Sequence, residues 1–308
     1  MSAIEKNSSV AYVGRFAPSP TGPLHFGSLV AALASYLDAR AHDGRWLVRI
    51  EDVDETRCEA SFADEILATL DAFGLNWDGG VFVQSRRKAR YQEVIATLDA
   101  AGYTYACHCS RREIADSALA GIDGPVYPGT CRHKNLPDQD AAIRFISPAG
   151  ILEFEDRLQG NQTQSLTDAV GDFVIRRRDG LTAYQLAVVV DDFDSGVTDV
   201  VRGADLLDST ARQIALQRAL RFATPRYLHI PVVANAQGEK LSKQTLATAI
   251  SATDRIAYLQ AALRFLNQPA PLDYSNPKQL LAHAVEHWRP ERVSRQRSIV
   301  THHQNVLR

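Results

Sequence analysis

The sequence predicts an α/β protein: a parallel sheet flanked by helices, interrupted by an inserted segment and closed by a short helical part. Three observations carry this. Short apolar runs alternate with helix-period segments up to about residue 101. The alternation breaks between residues 107 and 168, where Gly, Pro, Cys and polar residues dominate, and it resumes before a helix-rich end. With 308 residues, 45% of them hydrophobic, the chain is long enough for two domains or for one domain with an insertion.

The elements follow in order. Residues 9–16 read as a strand and 26–41 as an apolar helix; "RWLVRI" (45–50) is a second strand, followed by an amphipathic helix near 61–73. Residues 86–101 set Tyr91, Val94, Ile95 and Leu98 on helical spacing. "LAVVV" (186–190) reads as a strand buried on both faces, and "DST" suits the start of a helix over 206–222. After the strand-like "YLHIPVV", the segments "DRIAYLQAALRFL" and "PKQLLAHAVEHW" look helical. The expected divisions are therefore 1–106 and 169–244 as two halves of one sheet domain, 107–168 as the insertion, and 245–308 as a helical C-terminal segment.

A formal net charge of −2 gives no overall sign of a polyanionic partner. Lys278, Arg289, Arg292, Arg295, Arg297 and Arg308 nevertheless outnumber the acids near the C-terminus, which marks either a basic face or an ordinary solvated helix surface. The polar start "MSAIEKNSS" lacks the apolar core of a signal peptide, and the longest apolar run is too short to cross a bilayer. No membrane role and a cytoplasmic location are expected. Cysteine usage agrees: the four cysteines include a close pair, Cys107 and Cys109, whose neighbours favour metal over disulfide.

Between the first strand and first helix runs "RFAPSPTGPLHFGS" (15–28), with three prolines, two glycines and His25. A plain strand-to-helix turn needs one or two such residues. Glycines let backbone approach a ligand, prolines stiffen the loop, and the helix N-terminus that follows favours phosphate. Far downstream, "GEKLSKQ" (238–244) sets Lys240 and Lys243 around a serine, as a cation clamp on a triphosphate would require.

Together the two stretches resemble the HIGH and KMSKS signatures of class I aminoacyl-tRNA synthetases, and the first is similar to the glutamyl and glutaminyl branch. "RIEDVDETR" (49–57), "YQLAVVVDD" (184–192) and "GVTDVVRGADLLDST" (196–210) resemble further glutamyl-tRNA synthetase blocks in the same order. There are departures: Ser28 stands fourth in HIGH, Gln244 replaces the last serine of KMSKS, and Val188 stands where a polar residue is expected.

The resemblance implies a Rossmann-type catalytic domain that joins glutamate to ATP, which arrives with Mg²⁺. It gives the catalytic set as His25, Lys240 and Lys243, with His25 and Lys243 on ATP. Arg15 and Arg202 would take the two carboxylates of glutamate, because a guanidinium matches a carboxylate with paired hydrogen bonds. Glu51 would take the ammonium, with Ala17 and Ser19 nearby, and Tyr184 would supply a hydroxyl and a wall.

Cys107, Cys109 and Cys131 within one short stretch suggest one structural zinc. Imidazole is the commoner fourth ligand, which favours His133, whereas the resemblance favours Tyr127; the expected set is Cys107, Cys109, Tyr127 and Cys131. Finally, residues 245–308 are too few for the helical anticodon-reading domains of full-length synthetases. The length resembles the short paralogues that transfer glutamate to the queuosine base in the anticodon loop of tRNA(Asp). The basic tail and Arg176–Arg178 are candidate contacts to that stem-loop, and a monomer is expected. The rivals are a truncated enzyme acting on tRNA(Glu), a glutamate-activating enzyme with a small-molecule acceptor, and a non-enzymatic RNA-binding paralogue.

Overall fold

The structure, a computed structural model, describes residues 11–117, 119–122, 124–241 and 248–301. Its first half runs β1 (Val13–Phe16), α1 (Phe26–Ala41), β2 (Arg45–Ile50), α2 (Ala60–Ala72), β3 (Phe82–Val83) and α3 (Lys88–Ala100). The next stretch holds β4 (Thr104–Cys107), α4 (Arg111–Ser117), the short strands β5 (Ala120–Gly121) and β6 (Gly124–Pro125), β7 (Ala142–Phe145), β8 (Ile151–Asp156), β9 (Gly160–Ser165), α5 (Leu166–Ala169) and β10 (Phe173–Arg176). Then come α6 (Tyr184–Asp194), β11 (Asp199–Gly203), α7 (Leu207–Leu220), β12 (Arg226–Ile230), β13 (Val232–Ala234), α8 (Arg255–Phe265), α9 (Pro277–Glu286) and β14 (Ser298–Val300).

Strands β1, β2 and β3 pair in parallel, as do β11 and β12. The two sets meet where the Thr198 N–H donates to the Val13 carbonyl at 2.9 Å, just before β11 begins. The order is thus β3–β2–β1–β11–β12, with each half of the chain winding outward from the β1/β11 boundary. Ligands of such sheets sit in the crevice beyond the carboxyl ends of the strands at that boundary. Helix α1 packs beneath it, and its apolar residues Leu29, Val30, Leu33 and Leu37 are enclosed by β1, β2, α8 and α9.

The stretch expected as an insertion, residues 107–168, is not set apart, and its β7 pairs with strands on either side of those bounds. Its hairpin β8–β9 joins the edge of β12 through the Tyr227/Asp156 pairing, while β4, β7 and β10 form an antiparallel sheet of their own. One buried carboxylate ties distant segments together. Asp38 on α1 accepts from Tyr12 Oη (2.5 Å), Arg157 Nη1 (2.6 Å) and Trp288 Nε1 (2.9 Å).

Two expectations are corrected. "LAVVV" lies within helix α6, and Leu186–Val190 are all buried because α3, α7 and β10 surround that helix. A short apolar run enclosed on every side carries no period to separate strand from helix. The C-terminal part holds helices α8 and α9 as expected, but then returns as β14, which pairs in parallel with β13. Among the described residues no helix is long and apolar enough to cross a membrane.

Candidate active site

A cavity of about 370 Å³ opens at the carboxyl ends of β1 and β11, lined by Arg15, Ala17, Ser19, His25, Glu51, Tyr184, Arg202 and Lys240 among others. Eight of the sequence-derived residues therefore face one space. Lys243 lies outside the described residues.

At the helix end of the cavity, His25 is the N-cap of α1. Its Nδ1 accepts the Ser28 backbone N–H at 3.3 Å. An accepting Nδ1 leaves the proton of the neutral ring on Nε2, so Nε2 is a donor. Gly27 makes room for the ring, since a Cβ there would sit 3.2 Å from the imidazole. The chain on either side of residues 242–247 is anchored: Leu241 N–H donates to the Val233 carbonyl at 2.7 Å, and Ile250 N–H to the Leu24 carbonyl at 3.0 Å. Lys240 Nζ meets Asp205 Oδ2 at 2.5 Å on the cavity wall.

The opposite end is built from buried charge. Arg15 Nε lies 3.1 Å from Asp192 Oδ1, and the same oxygen is 2.6 Å from Arg49 Nη1. Arg49 Nη2 reaches on to Glu51 Oε1 at 3.0 Å. Four alternating charges thus run from the end of β1 across α6 to the end of β2. Burial pushes the Asp192 carboxyl up, but Arg15 and Arg49 outweigh it and hold the group below the usual carboxylate range. Glu51 is raised, because burial there exceeds the opposing effect of Arg49 and Arg15. The Tyr184 phenol is pushed up by burial and by the Glu51 charge.

Arg202 is held differently. Its Nε donates to His229 Nε2 at 2.9 Å and its Nη2 to Thr210 Oγ1 at 3.0 Å, while Nη1 is buried with no hydrogen-bond partner among the described residues. Sequence reasoning missed Arg49, Asp192, His229 and Asp205. Arg49 had left a signal: it stands two residues before Glu51 on a strand, hence on the same face. Asp192 and His229 had none, being joined to their partners only by the fold.

The cysteines converge as well. The Sγ atoms of Cys107, Cys109 and Cys131 lie within 4.8 Å of one another. Tyr127 Oη is 3.3 Å from Cys107 Sγ and 3.7 Å from Cys109 Sγ, whereas His133 is exposed and outside the group. Burial raises the Cys109 thiol to about 11. Burial also works against Cys131, yet hydrogen bonds from Tyr127, the His108 backbone and the other two cysteines bring it down to about 7. Three soft donors and a phenol around one point are a donor set that fits a tetrahedral zinc.

The arginine run is partly engaged. Arg177 Nη1 binds Asp54 at 3.1 Å and its Nη2 binds Asp179 at 2.6 Å, and Arg178 bonds the His108 carbonyl.

A crevice beyond the strand ends of a parallel sheet, with a helix N-terminus on one side and buried guanidiniums on the other, suits the class of enzymes that activate an acidic amino acid with a nucleotide, and similarity to known proteins agrees. Residues 12–268 match the family described as tRNA synthetases class I (E and Q), catalytic domain. The chain is 57% identical over 295 residues to the Glutamyl-Q tRNA(Asp) synthetase of Dechloromonas aromatica, covering 94% of this chain and 98% of that one. It is 53% identical over 287 residues to the protein of that name from Aromatoleum aromaticum, covering 92% and 91%. The chain belongs to this glutamyl-Q tRNA(Asp) synthetase family of class I tRNA synthetases. Among solved structures, glutamate-tRNA synthetase from Elizabethkingia anophelis shares the fold, with a TM-score of 0.79 at 22% identity over 96% of this chain and 69% of that one.

Proposed function

We propose that the protein activates glutamate with ATP, without needing tRNA, and transfers the glutamyl group to the queuosine base in the anticodon loop of tRNA(Asp). The observation that carries this reading is the 57% identity, along nearly the whole of both chains, to a protein of that name. The cavity supports it through two guanidiniums, a carboxylate and a phenol at one end and a histidine donor and a lysine at the other.

In the first step a glutamate α-carboxylate oxygen attacks the α-phosphorus of ATP. The bond to the bridging oxygen breaks, and pyrophosphate leaves. Such chemistry is accelerated by positioning and charge stabilisation rather than covalent help. Arg15 and Arg202 receive the two carboxylates, Glu51 takes the ammonium beside Ala17 and Ser19, and Tyr184 closes the wall. His25 donates from Nε2 to phosphate oxygens. Lys243, assisted by Lys240, neutralises the departing pyrophosphate, and Mg²⁺ comes with ATP to screen its charge. In the second step a hydroxyl of the queuosine diol attacks the glutamyl carbonyl, an ester forms and AMP leaves. That diol resembles the 2′,3′-diol of a ribose, and an anticodon loop presents its bases unpaired.

Cys107, Cys109, Tyr127 and Cys131 would hold one structural zinc. The reading also takes residues 107–168 as a zinc-bearing insertion between the catalytic halves 1–106 and 169–244, with 245–308 as C-terminal support. It assigns a monomer working in the cytoplasm, and Arg176–Arg178 and the basic tail as stem-loop contacts.

The test is acceptance of labelled glutamate by tRNA(Asp) with and without queuosine, followed by nuclease mapping. Label on the queuosine nucleotide, and none on the guanosine-containing tRNA, is expected. Label on a terminal adenosine, or preferential charging of tRNA(Glu), would reject the reading in favour of a truncated glutamyl-tRNA synthetase.

A further inference from the structure

The two substrate-facing arginines differ in what already balances them. Arg15 is neutralised by Asp192 within the protein. Arg202, only 5% exposed, has no carboxylate within ion-pair distance among the described residues. Its nearest partner, His229, cannot supply negative charge. An arginine Nε has only a proton to give, so His229 Nε2 must accept, and the ring is neutral with its proton on Nδ1. That proton points at Asp156 Oδ2, 2.6 Å away.

Asp156 is itself fixed on all sides. Its Oδ1 accepts from the backbone N–H groups of Leu158 (3.0 Å), Gln159 (2.8 Å) and His229 (3.2 Å). The three side chains come from neighbouring strands: Arg202 on β11 stands directly opposite His229 on β12, and Asp156 ends β8 beside them. With Nε given to His229 and Nη2 to Thr210, only Nη1 remains, on a residue that lines the cavity. A buried guanidinium without an anion is costly until one arrives.

We propose that Asp156 and His229 are positioning residues that hold the Arg202 guanidinium in the orientation in which it meets a substrate carboxylate. The inference rests on the reading of the cavity as a glutamate site and goes further, assigning to the hairpin β8–β9 a share in amino-acid recognition. Asp156 fixes the tautomer of His229, and the tautomer fixes the guanidinium. The arrangement parallels the carboxylate–histidine pairs that orient metal ligands, where losing the outer partner costs about 10–100-fold.

The experiment is glutamate-dependent ATP–pyrophosphate exchange on the full chain and on two variants that separate the two nitrogens of the ring. His229→Asn keeps a donor near the Nδ1 position for Asp156 but removes the acceptor for Arg202. His229→Gln places an amide oxygen near the Nε2 position and keeps that acceptor. The expected result is a KM for glutamate raised about 10–100-fold in His229→Asn, with the KM for ATP unchanged and most of the loss recovered in His229→Gln. An unchanged glutamate KM in His229→Asn overturns the inference. So does an equal rise in both KM values alongside a lowered melting temperature in both variants, which is what a merely structural role produces. If the unaltered protein shows no glutamate-dependent exchange, the site reading falls, and this inference with it; failure confined to the variants removes the inference alone.

Discussion

The two ends of the cleft are built on opposite plans. At the end proposed for the amino acid the charges are buried and arranged in advance: Arg15, Asp192, Arg49 and Glu51 alternate in sign within 3.1 Å steps. At the end proposed for the phosphates the protein offers a histidine at a helix start and Lys240, whose side chain is 49% exposed and rests on Asp205. The difference teaches how charge can be used in a binding site. A small zwitterion is recognised by orientation, so its partners must be fixed, and fixing buried ions requires counterions from the protein itself. A triphosphate is met by charge, which exposed lysines supply without prior burial.

The comparison breaks most visibly at Asp192. Replacing it with alanine leaves Arg15 and Arg49 facing each other in a buried site, and should lower stability by about 3–5 kcal/mol. Urea unfolding measures this; a loss no greater than for a surface aspartate would mean the four-charge row is not a unit.

The phosphate end should fail in rate rather than in stability. Lys243→Ala should lower ATP–pyrophosphate exchange by about 100–1000-fold, equivalent to about 2.7–4 kcal/mol, with little change in melting temperature. Lys240→Ala should cost much less. Equal and mild effects at both lysines would make this stretch ordinary surface.

Acid sharpens the contrast further. Burial, aided by the Arg202 charge and opposed by Asp156, lowers the His229 pKa from the ordinary 6.5 to about 4. As pH falls below 6.5 the unfolded chain binds this proton and the folded chain does not. Stability from this group is therefore complete above about pH 6.5 and declines toward pH 4, by roughly 3 kcal/mol in all. His229→Gln should flatten that window in urea unfolding at graded pH; an unaltered slope would contradict it.

The smallest effect is expected away from the cleft. One zinc per chain should be found by elemental analysis and lost with Cys107→Ser or Cys131→Ser. Tyr127→Phe should weaken retention against a chelator more than His133→Ala. The reverse order would return the fourth position to the imidazole.

What the sequence disclosed follows from the same contrast. Arg15, Glu51 and Arg202 stand at or just past the ends of strands and His25 at a helix start, in stretches whose turn residues and charges are conspicuous against apolar surroundings. Residues that only brace others leave no such mark. Asp192 is 143 positions from Arg49, and Asp156 is 73 positions from His229, so nothing local links them. "LAVVV" reads as a strand buried on both faces, yet three neighbouring elements enclose it as a helix. Strand β14 escaped for a related reason: "SIV" is too short to show alternation, and it becomes a strand by lying along β13.

The central claim is that the amino-acid end is complete before any RNA arrives. It is tested most directly by ATP–pyrophosphate exchange with protein, Mg²⁺, ATP and one amino acid, without tRNA. Glutamate alone should support exchange, and glutamine should not, because its amide leaves one of the two guanidiniums, Arg15 or Arg202, without a second carboxylate. Strict dependence on added tRNA, or equal exchange with glutamine, would contradict it.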